Sequence, residues 1–85
     1  MTVKELQEAS RRVTGIKEVT RAINKKDAVK VYIADDADRH ITDPIVTLCR
    51  EHQIDCERIS SMKELGEAAG IDIGASAACI VDGDN

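Results

Sequence analysis

Aromatic side chains are almost missing from this 85-residue chain, which has no Trp, no Phe and a single Tyr, Tyr32. Stacking of single-stranded bases needs exposed aromatic faces, so an aromatic sheet surface that reads RNA is excluded. The core must instead be built from Ile, Val, Leu, Ala and Cys, a composition suited to helices on a small sheet. Cysteine is scarce and odd in number: Cys49, Cys56 and Cys79 include no C-x-x-C pair. That pattern argues for reduced, buried thiols in a cytoplasmic protein rather than a disulfide framework. Long apolar runs are absent too. No stretch approaches the ~18 residues of a membrane span, and Met1–Glu5 lacks the apolar segment of a signal peptide. No membrane partner is expected.

Catalytic groupings are also lacking. No Ser-His-Asp arrangement or nucleophile elbow is readable, and His40 and His52 are lone. Cys49 and His52 form only an i, i+3 pair, without further ligands at metal spacing. Neither an enzyme, a bound metal nor a cofactor is therefore expected.

Charge of both signs is abundant, and it is segregated. The formal net charge is −4. Residues 1–30 nevertheless hold eight Lys/Arg against four acids, a balance of +4 that leaves −8 on the rest. A local basic face matters more for steering a polyanion than the chain average does. The length predicts one domain over residues 1–81, with Asp82-Gly83-Asp84-Asn85 as a solvated acidic tail.

Hydrophobic spacing predicts alternating helices and strands. Val3, Leu6 and Val13 suggest a first helix over about 2–11, and Gly15 breaks the chain before a second helix whose apolar face is Val19, Ala22 and Ile23. Val29–Ala34 reads as a β-branched strand followed by an acidic loop. Asp43 with Pro44 predicts the start of a third helix, because proline's missing N–H costs nothing at a first helical position. Cys56–Ile59 is a short strand, Ser61 to Glu64 a capping box opening a fourth helix stopped by Gly70, and Ala77–Val81 the last strand. This order predicts an α/β fold, a three-layer α/β/α sandwich around a small four-stranded mixed sheet.

The second helix carries the chemistry. Lys17, Arg21 and Lys25 stand at i, i+4 and i+8, so they share one face. Gly15 and Ile16 open the helix, and its unpaired N–H groups beside cations suit a phosphate. Glu18 is the odd member, since a carboxylate repels phosphate. Its acceptor oxygens suit the imino and amino donors of a guanine edge. Lys17 and Glu18 would then read bases while Arg21 and Lys25 hold phosphates. The alternative is a solvated helix face with a dipole-favoured acid in its first turn.

The run Gly15-Ile16-Lys17-Glu18-Val19-Thr20-Arg21-Ala22-Ile23 resembles the G-x-N-E-x-T-K-x-(I/L/V) helix of the L-seven-Ae family of kink-turn RNA-binding ribosomal proteins. Val31–Asp38 resembles that family's strand ending in Ala-x-Asp, and Leu48-Cys49 sits where Leu-Cys recurs. Ser61 to Ile71 resembles its S-K-x-x-L-G-x-A-x-G segment. The resemblance implies an α/β/α sandwich without catalysis that binds the kink-turn, a helix–bulge–helix RNA element whose tandem G·A pairs face the protein. It places Glu18 and Arg21 as the guanine-reading acid and its basic partner, with Gly15 as the helix-opening glycine. It places Ile71, Asp72, Ile73 and Gly74 in a loop covering the bulged nucleotides. Lys17 stands where many members carry Asn, and Met62 where Lys is common, which implies weaker affinity with the choice of RNA shape retained. The implied partners are a structured RNA, ribosomal or riboswitch-like, and the ribosome, with no DNA and the protein acting as a monomer.

Two other classes fit part of the chain. Asp35, Asp36 and Asp38 follow a strand as a receiver's phospho-acceptor or Mg²⁺ site does, although no Lys follows the last strand. The basic helix could also serve an acidic protein partner.

Overall fold

The computed structural model describes residues 3–82. In chain order the elements are α1 (Val3–Glu8), β1 (Arg12–Thr14), α2 (Ile16–Asn24), β2 (Ala28–Ala34), α3 (Arg39–His52), β3 (Asp55–Ile59), α4 (Met62–Ala69) and β4 (Ala77–Val81). The sheet order is β1-β4-β2-β3. Strand β4 runs antiparallel to both β1 and β2, and β3 pairs parallel with β2. The sheet is mixed, and the chain ends of β1, β2 and β3 all leave it on one side.

Alternation along the central strands creates the layers, because successive strand residues point to opposite faces. Val31 and Ile33 of β2, with Ala77 and Cys79 of β4, pack against Val19 and Ile23 of α2 and Ile45 and Cys49 of α3. Tyr32, Ala34 and Ala78 turn the other way, onto Leu6 of α1 and Leu65 of α4. Helices therefore cover both faces, as an α/β/α sandwich requires. The single tyrosine, Tyr32, is fully buried, and its hydroxyl donates to Glu5 Oε1 at 3.4 Å.

Cys49 and Cys79 are buried and Cys56 is half-buried. A hydrogen bond with Cys56, followed by burial, pushes the Cys49 thiol up; the same bond lowers Cys56. Burial pushes Cys79 up to about 12.

Two boundaries depart from expectation. The first helix ends at Glu8, and Val13 belongs to β1, where it packs under α2 and α3. Helix α3 begins at Arg39 rather than at Pro44. An earlier oxygen wins: Asp38 Oδ1 accepts from His40 N–H at 2.9 Å, so the cap is Asp38 and not Asp43. Pro44 then falls inside the helix, where its ring removes the bond an N–H would make to the His40 carbonyl. The expected tail over 82–85 lies outside the described residues from 83 onward. Asp82 is still tied to the body, its N–H donating to the Asp27 carbonyl at 2.8 Å.

Two of the eight early cations serve the fold. Arg12 donates from Nε to the Ala69 carbonyl at 2.9 Å, and from Nη1 to the carbonyls of Leu6, Gln7 and Ala9 at 3.1–3.3 Å. One guanidinium thus satisfies the C-terminal carbonyls of both α1 and α4, where a positive charge also suits the dipole. Lys30 bridges Glu5 at 2.8 Å and Glu57 at 3.1 Å.

Candidate nucleic-acid interface

Gly15 opens α2 with φ +97° and ψ 147°, a conformation that L side chains rarely adopt. A Cβ there would meet nothing within 4 Å, so the glycine answers to its backbone angle and stands beside open space. Its own N–H donates to the Ala77 carbonyl at 2.9 Å, fixing the helix start to the first residue of β4. No side chain caps α2. Helix geometry leaves the first-turn N–H groups without intrahelical partners, and Gly15 offers them no oxygen.

The side chains follow from the 100° helical step. Val19, Ala22 and Ile23 are buried against the sheet. Lys17, Glu18, Arg21 and Lys25 are all exposed. Glu18 lies about 60° from Arg21 and 20° from Lys25 around the axis, at the edge of the basic stripe just beyond Lys25. Arg21 Nη1 donates to Glu18 Oε2 at 3.5 Å, with both side chains about half exposed. A shallow groove of about 220 Å³ runs beside this stripe, lined by Glu18, Arg21 and Lys25 together with Arg11, Asp27 and Asp82. Lys17 is outside that groove and Ile16 is half-buried against the core. Lys25 is the C-cap of α2, about 14 Å along the axis from Ile16.

The 71–74 segment lies at the same end of the sheet. It leads through Ala75 and Ser76 into β4, whose Ala77 carbonyl receives the Gly15 N–H. Ile71 is half-buried, Asp72, Ile73 and Gly74 are exposed, and Ile73 is 74 % exposed. The helix start and this loop are thus brought together through β4, with Lys25 set apart at the other end of α2.

The acidic loop is engaged by its surroundings. Asp35 pairs with Arg58 at 3.3 Å, Asp36 accepts the Met62 N–H at 2.8 Å, and Asp38 caps α3. Two of the three carboxylates that suggested a receiver are helix caps.

The family model of the ribosomal protein L7Ae/L30e/S12e/Gadd45 family matches residues 1–85. This chain belongs to that family. It is 40 % identical over 74 residues to an RNA-binding protein of Caldanaerobacter subterraneus subsp. tengcongensis, covering 87 % of this chain and 90 % of that one. It is 36 % identical over 81 residues to the large ribosomal subunit protein eL8 of Methanobrevibacter smithii, covering 94 % of this chain and 66 % of the longer protein. The solved structure of a Giardia lamblia 15.5kD RNA binding protein superposes with a TM-score of 0.84 at 26 % identity, covering 96 % of this chain and 69 % of that one.

Sequence reasoning missed Arg11 as a groove residue, because it carried the first helix to about 11, past its end at Glu8. The strand that follows is only three residues long, with Val13 and Thr14 half-buried beside exposed Arg12, too short a run to show a period of two.

Proposed function

We propose that this protein binds kink-turn RNA without catalysing a reaction. The observation that carries the reading is the start of α2. It is glycine-opened and carries no side-chain cap, it presents Glu18 and Arg21 to solvent, and it sits beside the exit of the 71–74 loop. Membership in the family and the names of its RNA-binding relatives support the same conclusion.

In this account the Glu18 carboxylate accepts from guanine donors of the tandem G·A pairs, for which Arg21 must first exchange its 3.5 Å contact with Glu18 for RNA. Lys17 contacts a phosphate or a guanine O6 at the leading edge of the stripe. First-turn N–H groups of α2 meet phosphate. Lys25 neutralises backbone charge farther along the helix. The exposed Ile73, with Ile71, Asp72 and Gly74, covers the unstacked nucleotides of the bulge. Acidic residues on the neighbouring loop repel RNA from the wrong side and so orient it. The target is ribosomal or riboswitch-like RNA, bound by a monomer in the cytoplasm. Among the described residues no helix is long and apolar enough to cross a membrane.

The test is a titration against two RNAs of equal length and charge in ~0.1 M salt, where weak charge attraction is screened. One contains a kink-turn, and the other has its G·A pairs replaced by Watson–Crick pairs. The proposal expects at least a tenfold preference for the kink-turn; equal binding would overturn it and leave a basic helix serving another partner.

A further inference from the structure

Gly66 stands in the middle of α4, where alanine is the better helix former, so local helix stability does not explain it. Its surroundings do. A Cβ at Gly66 would come within 2.0 Å of the Ile73 carbonyl oxygen, 3.0 Å of that carbonyl carbon and 3.1 Å of Gly74 Cα. All three are backbone atoms of the loop, which no side-chain rotation can move aside. One turn earlier on the same face of α4 the fit is tight again: a Cβ at Gly74 would stand 3.1 Å from Met62 Cβ and 3.3 Å from the Met62 carbonyl. Two hydrogen bonds clamp the segment onto the helix, Ile71 N–H to the Gly66 carbonyl at 3.0 Å and Ala75 N–H to the Met62 carbonyl at 3.0 Å.

With the backbone of residues 71–75 lying directly on α4, the Ile73 side chain has only one direction left, outward, and it is 74 % exposed. Among the described residues Ile73 is the most exposed large apolar side chain, above Val29 and Ile41, and it stands on a backbone held against α4. A loose loop would fold it back. We infer that Gly66, with Gly74 opposite it, is a positioning residue: it sets the height at which the loop offers Ile73 to RNA, and so contributes to discrimination between RNA shapes without touching the RNA. This inference rests on the proposed role of the loop in binding.

The experiment compares Gly66→Ala, the milder Gly74→Ala and a control on the exposed side of α4, Glu67→Ala. Each variant is tested against the kink-turn RNA and its G·A-replaced counterpart, alongside thermal melting and backbone amide NMR shifts of the free protein. Gly66→Ala is expected to shift the amides of residues 71–75, to lower kink-turn affinity about tenfold and to leave the weak affinity for the replaced RNA unchanged, with Gly74→Ala smaller in the same direction and the control at wild-type values. Should Gly66→Ala fail to fold, Gly74→Ala decides through the free protein: shifted amides at residues 71–75 together with lost kink-turn preference support the seat, and unshifted amides overturn it. Equal loss on both RNAs, or shifted loop amides with wild-type affinity, would overturn the inference, as would unshifted loop amides. If the wild-type protein fails to distinguish the two RNAs, the functional reading falls and takes the RNA role of the seat with it. The amide shifts then still decide whether Gly66 seats the loop.

Discussion

Three helices begin at the same end of the sheet, and they begin differently. Helices α3 and α4 start under protein oxygens: Asp38 caps one, while Ser61 Oγ accepts from Glu64 N–H at 3.1 Å and Asp36 accepts from Met62 N–H in the other. Helix α2 starts on Gly15, which has no side chain to give. With glycine in place of an oxygen-bearing cap the stability cost at that end is about a few tenths of a kcal/mol, small enough for the fold to leave it open. The bare end is also the one that faces exposed Glu18 and Arg21. The capped ends are satisfied within the fold, and the proposed function assigns the uncapped one to a partner's acceptors.

The comparison yields tests in descending size. Arg12 belongs to the fold even though it comes from the basic third, so Arg12→Ala is expected to lose about 1.5–3 kcal/mol of stability, the worth of charge-assisted bonds to the ends of α1 and α4. Arg12→Lys should recover little, since an ammonium cannot reproduce the fork. Urea unfolding measures both; an unchanged midpoint would show that those carbonyls are satisfied without it. Glu18→Ala is expected to do the opposite, costing about 1–3 kcal/mol of kink-turn binding with the melting temperature held. If it weakens the G·A-replaced RNA equally, Glu18 is not reading a base.

How far the sequence could be read divides along the same line. The buried face of α2 was legible because burial imposes its 3.6 period, whereas β2 and β4, covered on both faces, were legible as short apolar runs, β-branched in β2. Helix α3 was misplaced because Asp38 and Asp43 are both sound N-caps, and Pro44 after Asp43 imitates a first helical position. The choice of Asp38 depends on where β2 releases the chain, a tertiary fact. Likewise the stripe Lys17, Glu18, Arg21, Lys25 could be laid out from the helical step alone. The roles of Arg12, Lys30 and Gly66 could not, since each is fixed by elements distant in sequence: Arg12 by α1 and α4, Lys30 by Glu5 and Glu57, Gly66 by Ile73.

Smaller effects sharpen the boundary. Asp38→Ala is expected to cost about 0.5–2 kcal/mol of stability while leaving RNA preference intact; a changed preference would place the α3 start within the interface. Lys25→Ala, at the far end of α2, should weaken both RNAs alike and reduce the salt slope by about one or less. An unchanged slope removes it from the footprint.

The pH profile of stability should report on the fold and not on the bare helix end. Lys30, hydrogen-bonded first to Glu5, is held protonated above its usual range, and the same bond holds the Glu5 carboxyl below its own. Stability from Glu5 is present above the unfolded carboxylate value of about 4.3 and is lost as pH falls below it. Raised groups act in the other direction. Burial keeps Cys79 neutral up to about 12, so stability declines once pH passes the unfolded thiol value of about 8.5, and the Lys30 contribution follows above about 10.4. Melting temperatures from pH 3 to 11 should therefore show a plateau with losses at both ends, and Cys79→Ala should flatten the alkaline one; an identical alkaline slope would mean that this thiol ionises freely in the fold.

A backbone amide NMR titration of the protein with kink-turn RNA locates the interface residue by residue. The account predicts that the largest shifts fall on Ile16, Lys17 and Glu18 and on residues 71–74, with the capped amides of His40, Met62 and Glu64 nearly still. Leading shifts at His40 or Met62, with the start of α2 unmoved, would contradict it.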